Sequence, residues 1–141
     1  METNNYQNVP EAPLDFGEAV SSVFHKYATF TGRARRSEYW WYFLFLVIVS
    51  VITMLLDSAF GIKFEDTYYG PITLILILAT FLPTLAVSIR RFHDIGKSGW
   101  NYLFILIPFI GFILLLFWFC INSDVSENPY GVSPKYGKTE E

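Results

Sequence analysis

The chain has 141 residues, a net charge of −3, 52% hydrophobic residues and 19% aromatic residues. Its charges are segregated: the runs Tyr39–Leu56, Pro71–Ile89 and Tyr102–Ile121 contain none of the ten Lys and Arg or the thirteen Asp and Glu. Each run is about 18–20 residues long, enough to cross ~30 Å of hydrocarbon as a helix with no polar face for water, and the remainder is too short for a separate soluble domain.

Residues 1–13 are polar, carry two prolines and read as a disordered tail. A single membrane domain is expected over 14–138, with 139–141 as a tail end. Asp15 reads as a helix N-cap, with Glu18 at capping-box spacing. Phe16, Val20, Val23, Phe24 and Tyr27 follow at helical intervals. This short amphipathic helix is expected either to lie in the membrane interface or to pack on the protein's own loops. A polar stretch before the first apolar run is the wrong order for a cleavable signal, so the first span should be retained.

Gly32-Arg33-Ala34-Arg35-Arg36-Ser37-Glu38-Tyr39-Trp40-Trp41 leads into the first span. Ser37 reads as its N-cap, and the aromatics belong at headgroup depth. The loop Asp57–Gly70 carries Asp57, Glu65 and Asp66 against Lys63. Pro71 starts the second span, and Pro83 should kink it. The segment Arg90-Arg91-Phe92-His93-Asp94-Ile95-Gly96-Lys97-Ser98-Gly99-Trp100 follows. Pro108 and Gly111 predict a bend in the third span. Asn122–Glu141 reads as loop. The one cysteine, Cys120, cannot form an intrachain disulfide.

The fold expected is therefore all-α and polytopic, with three transmembrane helices and a short N-terminal amphipathic interfacial helix. Lys26, Arg33, Arg35, Arg36, Arg90, Arg91 and Lys97 fall on one side of such a bundle, against Lys63, Lys135 and Lys138 on the other. The positive-inside rule then puts the N-terminus in the cytoplasm, and three spans put the C-terminus outside.

Antiparallel spans bring both basic segments to one face. Arg33, Arg35, Arg36, Arg90, Arg91, His93 and Lys97 form a candidate headgroup-level site for an anion: a lipid phosphate, a nucleotide or an acidic partner peptide. The plainer alternative is that they set topology and snorkel. Asp94 is expected to pair with an arginine of the first segment. His93 is also a candidate general base, although no nucleophile is paired with it. His25, His93 and Asp94 lack the spacing of a metal site, and nothing points to a cofactor or to nucleic acid. The spans hold Ser50, Thr53, Thr73, Thr80, Thr84 and Ser88 but no ionisable group, which argues against a monomeric pump.

The two long motifs, with Ile107-Pro108-Phe109-Ile110-Gly111 and Asn128-Pro129-Tyr130-Gly131, resemble the bacterial inner-membrane family called domain of unknown function 805. The resemblance covers roughly residues 24–137. It implies a small multi-pass protein of the bacterial cytoplasmic membrane and supplies no activity or catalytic residues. The function expected is a non-enzymatic membrane component whose basic cluster holds anionic lipid headgroups or a partner. Two alternatives stay open: a subunit of a homo-oligomeric channel or transporter, and an enzyme modifying a lipid or phosphate ester through His93 and Asp94.

Overall fold

A computed structural model describes residues 10–136. Among these residues the regular structure is all helical: α1 (Phe16–His25), α2 (Arg36–Ala59), α3 (Pro71–Asp94), a 3-10 helix (Gly99–Leu106) and α4 (Ile110–Cys120). Most of the expected disordered tail, residues 1–9, lies outside the described residues, as do 137–141.

The capping box of α1 is formed. Glu18 N donates to Asp15 Oδ1 at 2.8 Å, and Asp15 N donates to Glu18 Oε2 at 3.0 Å. The predicted apolar stripe faces α2. Val23 is buried with Ala34, Tyr42 and Val87, and Phe24 meets the Tyr42 and Phe45 rings at 6.0 and 5.8 Å. Phe16, Phe24 and Tyr27 nevertheless stay 38–40% exposed, so the helix keeps an uncovered apolar edge.

Helices α2 and α3 have 24 residues each, and both are long and apolar enough to cross a membrane. At 1.5 Å per residue each spans about 36 Å. Two boundaries differ from the expected ones. Arg35, not Ser37, is the N-cap of α2, and Ser37 Oγ instead accepts from Leu14 N at 3.2 Å. At its far end α2 continues through Asp57, because that carboxylate is wholly buried as the cap of the next helix. Asp57 accepts from the backbone N–H groups of Gly70, Ile72 and Thr73 and from the Thr73 hydroxyl, at 2.7–3.0 Å. It thereby satisfies donors that a helix start leaves open.

Helix α3 runs unbroken through Pro83. Proline has no N–H, so the carbonyl four residues earlier, that of Ala79, loses its helical donor. The Tyr27 hydroxyl donates to that carbonyl instead.

The expected third span is corrected by the structure. Tyr102–Ile121 is not one helix but a hairpin of the 3-10 helix and α4. The chain reverses at Ile107–Phe109, where Pro108 removes a donor and disfavours helix at the residue before it. Gly111 lets the arms meet backbone to backbone, since a Cβ there would sit 1.7 Å from the Phe104 carbonyl oxygen. Phe104 and Trp118 pack across the arms with ring centres 5.6 Å apart. The arms have 8 and 11 residues. Each is about 16 Å long at the rises of a 3-10 helix and an α-helix, half the thickness of a bilayer core.

Both ends of the hairpin lie against the last turns of α3. Gly99 is tight against Ile89, and Phe92 packs on Trp118 and Phe119 at 5.7 and 5.1 Å. The segment after α4 is irregular, as expected, but it sits at the wrong end for a three-span chain. Asp124 N donates to Asp94 O at 3.0 Å, Asn128 Nδ2 donates to His93 O at 2.9 Å, and Glu11 N donates to Lys135 O at 2.7 Å. The N-terminal and C-terminal segments therefore share one end of the α2–α3 pair.

Candidate functional site

The first basic segment is tied to the end of α3 by Ala34 N, which donates to Arg90 O at 2.9 Å. At that junction Asp94 is wholly buried. Its Oδ1 accepts from Arg33 Nε at 3.1 Å, and its Oδ2 accepts from Arg91 Nη1 at 2.9 Å and from Ser123 Oγ at 2.6 Å.

Arg33 uses all five of its N–H donors on the protein. Besides Asp94 Oδ1, Nη1 donates to the carbonyls of Ser126 and Gly131 at 3.0 and 3.1 Å. Its Nη2 donates to those of Asp94 and Asp124 at 3.0 and 2.8 Å. Arg91 Nη2 donates to the carbonyls of Phe119 and Ile121, closing the end of the hairpin. Arg90 Nη1 pairs with Glu38 Oε1 at 2.8 Å, where Ser22 Oγ also donates at 3.0 Å. That contact joins α1, α2 and α3. Arg35 holds the carbonyls of Glu11 and Ala12, each at 3.0 Å.

These four arginines are at most 6% exposed. Burying a guanidinium costs several kcal/mol unless carboxylates and carbonyls replace its water. Here they do for Arg33 completely. Arg90 Nε and Nη2 and Arg91 Nε have no partner among the described residues, and such buried donors are the usual seats of ordered water. The basic segments thus act largely as internal staples.

His93 and Asp94 do not form a dyad. His93 Nδ1 faces the Gly32 carbonyl oxygen at 3.0 Å, and its ring stacks on Tyr130 at 3.9 Å with 2° between planes. Asp94 is fully occupied elsewhere. Lys97 lies over the Trp118 ring, 5.1 Å from its centre. No group of three or more His, Cys, Asp or Glu among the described residues could hold a metal ion.

Arg36 is the exception. It is exposed, donates only through Nη1 to Cys120 O at 3.2 Å, and has no partner for Nε or Nη2 among the described residues. It borders a cavity of about 320 Å³ lined also by Glu11, Arg35, Ser37, Ser123 and Lys135. A second hollow of about 300 Å³ extends from Arg36 and Ser37 to Trp40 and Cys120.

The hydroxyls of the long helices are used inside the protein. Thr53, Thr80 and Ser88 donate to the carbonyls of Ser50, Leu76 and Thr84, and Tyr42 shares a hydrogen bond with Thr84 at 3.1 Å. They do not form a free polar stripe.

The family described as "Protein of unknown function (DUF805)" matches residues 27–132. The chain belongs to the DUF805 family. It is 42% identical over 117 residues to Inner membrane protein YhaI of Escherichia coli K12, covering 82% of this chain and 94% of that one. It is 39% identical over 113 residues to Inner membrane protein YhaH of the same strain, covering 80% and 93%. No solved structure matches. The DUF805 match takes in all five arginines, Glu38, Asp94 and the carbonyls that Arg33 holds. It excludes α1 and Lys135.

Sequence reasoning missed Glu38, Asp57 and the role of the segment 119–131. Glu38 carried one usable signal: it is the acidic residue beside an otherwise basic and aromatic helix start. The carbonyls of 119–131 carry none, because every residue has one.

Proposed function

We propose that this protein is a non-enzymatic component of the bacterial inner membrane that holds an anionic lipid headgroup at Arg36. Its relatives are named inner membrane proteins, and α2 and α3 are the elements with the length to cross. The hairpin dips into one leaflet from the end where the segments around Glu11 and Lys135 meet, and α1 rests in the interface of that same leaflet. That end is cytoplasmic. It carries Lys26, Arg33, Arg35, Arg36, Arg90, Arg91, Lys97 and Lys135, against Lys63 alone in the loop at the other end.

The observation that carries the headgroup reading is the unused guanidinium edge of Arg36 over a cavity it shares with Arg35 and Lys135. Trp40 stands beside it at the depth where aromatic rings meet headgroups. Glu11 is the one acidic side chain in the lining, so the cavity stays net basic. A phosphate accepts two N–H groups from such a planar edge.

Native mass spectrometry of the purified protein from a mixed-lipid extract tests the reading. Arg36→Gln should lower the ratio of retained anionic to zwitterionic phospholipid several-fold, and Arg36→Lys should lower it less, with melting temperature unchanged in both. An unaltered ratio in Arg36→Gln would overturn the assignment.

A further inference from the structure

The hairpin tip is built for hydrocarbon. Leu106, Phe109 and Ile110 are 75, 85 and 68% exposed, and no polar side chain lies between Tyr102 and Cys120. Phe109 sits at φ 61°, ψ −59°, the centre of a positive-φ γ-turn closed by the bond from Ile110 N to Pro108 O, a rare and strained conformation for a bulky residue. That turn holds a large apolar side chain outward at the extremity of the hairpin.

Four of the tip's backbone N–H groups are paired internally, and those of Phe109 and Phe112 have no backbone partner among the described residues. Ile107 N donates to Phe104 O, Ile110 N to Pro108 O, Gly111 N to Ile107 O and Ile113 N to Phe109 O, at 2.7–3.0 Å. Pro108 has no donor to satisfy.

The mouth of the hairpin is fixed at the Arg91–Asp94 junction, and its arms are half the bilayer core in length. Helix α1 lies at the same end, with Phe16, Phe24 and Tyr27 uncovered. One leaflet therefore receives α1, both arms of the hairpin, α2 and α3. The other receives α2 and α3 alone. Each helical arm is about 10 Å wide, so the hairpin alone adds on the order of 150–200 Å² of cross-section to one leaflet.

From this we infer that the protein is a wedge that senses membrane curvature and accumulates where the leaflet holding the hairpin is stretched and convex. The ligand is the lipid surface itself, recognised by packing rather than by headgroup. The inference rests on the proposed topology, in which both termini share a side.

Sorting among reconstituted vesicles tests it. Ser126→Cys in a Cys120→Ser background places one thiol on the segment after α4. A membrane-impermeant dye, added before or after permeabilisation, then separates molecules with that segment outward from those with it inward. A dye attached at a second position, Pro10→Cys in the same background, reports whether the two termini share a side. On small vesicles the outer leaflet is convex, so outward-facing molecules should be enriched about twofold or more per unit area over large vesicles, and inward-facing ones depleted. Phe109→Asp with Ile110→Asp, which drives the tip out of the hydrocarbon, should erase the contrast without separating the two termini. Termini on one side with equal sorting of both orientations would overturn the wedge and leave the topology standing. Termini on opposite sides would overturn both.

Discussion

The Tyr27 hydroxyl donates to the Ala79 carbonyl, the acceptor orphaned by Pro83. A residue just beyond α1 thereby repairs a defect inside α3. Tyr27→Phe should lower stability in detergent by about 1 kcal/mol, the worth of a hydrogen bond whose acceptor stays unpaired. Pro83→Ala restores a donor within α3, so the double variant should recover most of that loss. Additive effects in the double-mutant cycle would show that the two residues do not serve the same carbonyl.

Asp94→Ala leaves Arg33 and Arg91 buried without their carboxylate. The expected cost is about 3–5 kcal/mol, against ±0.5 kcal/mol for Glu65→Ala in the exposed loop. Thermal melts in one detergent compare them. Equal melting temperatures would mean that water reaches the Asp94 site.

A reporter active only in the cytoplasm, fused after Glu141, should give a strong signal, as should one fused before Met1. A reporter inserted beside Lys63 should be silent. A silent C-terminal fusion with an active N-terminal one would require the hairpin to cross the bilayer, which its two arms of about 16 Å are too short to do singly.

Asp57→Ala removes the shared acceptor of three backbone N–H groups and one hydroxyl at the start of α3. The expected loss is about 2–4 kcal/mol, with Asp57→Asn between it and the parent because one oxygen remains. Hydrogen exchange should quicken at Gly70, Ile72 and Thr73 before it quickens elsewhere in α3. Uniform quickening along the helix would rule out a local cap.

What the sequence made legible was what is local. The capping box of α1 and its stripe are contained in thirteen consecutive residues, Asp15–Tyr27, and both form. The two long apolar runs became two long helices. The third run has the same length and composition, so counting residues predicts a third crossing. What turns it back is the contact of Gly111 with the Phe104 backbone, a pairing that composition does not encode. Pro108 and Gly111 signalled a bend, and the angle was decided by packing. The arginines matched the pattern of a topology signal because charge placement is visible in sequence. Their partners, mostly carbonyls far along the chain, are not.

Arg33 also sets an order of events during synthesis. Its acceptors lie 61, 91, 93 and 98 residues later in the chain. At 5–20 residues per second, a ribosome needs roughly 5–20 s to deliver the last of them. Throughout that interval α2 can enter the bilayer with its guanidinium still in water. The junction is sealed only when Gly131 has been made, so the arginine that starts the domain is the last of its parts to be finished. Nascent chains stopped before Asp124 should remain open at this end, and an added protease can tell them from the completed protein by cutting between Thr31 and Arg36.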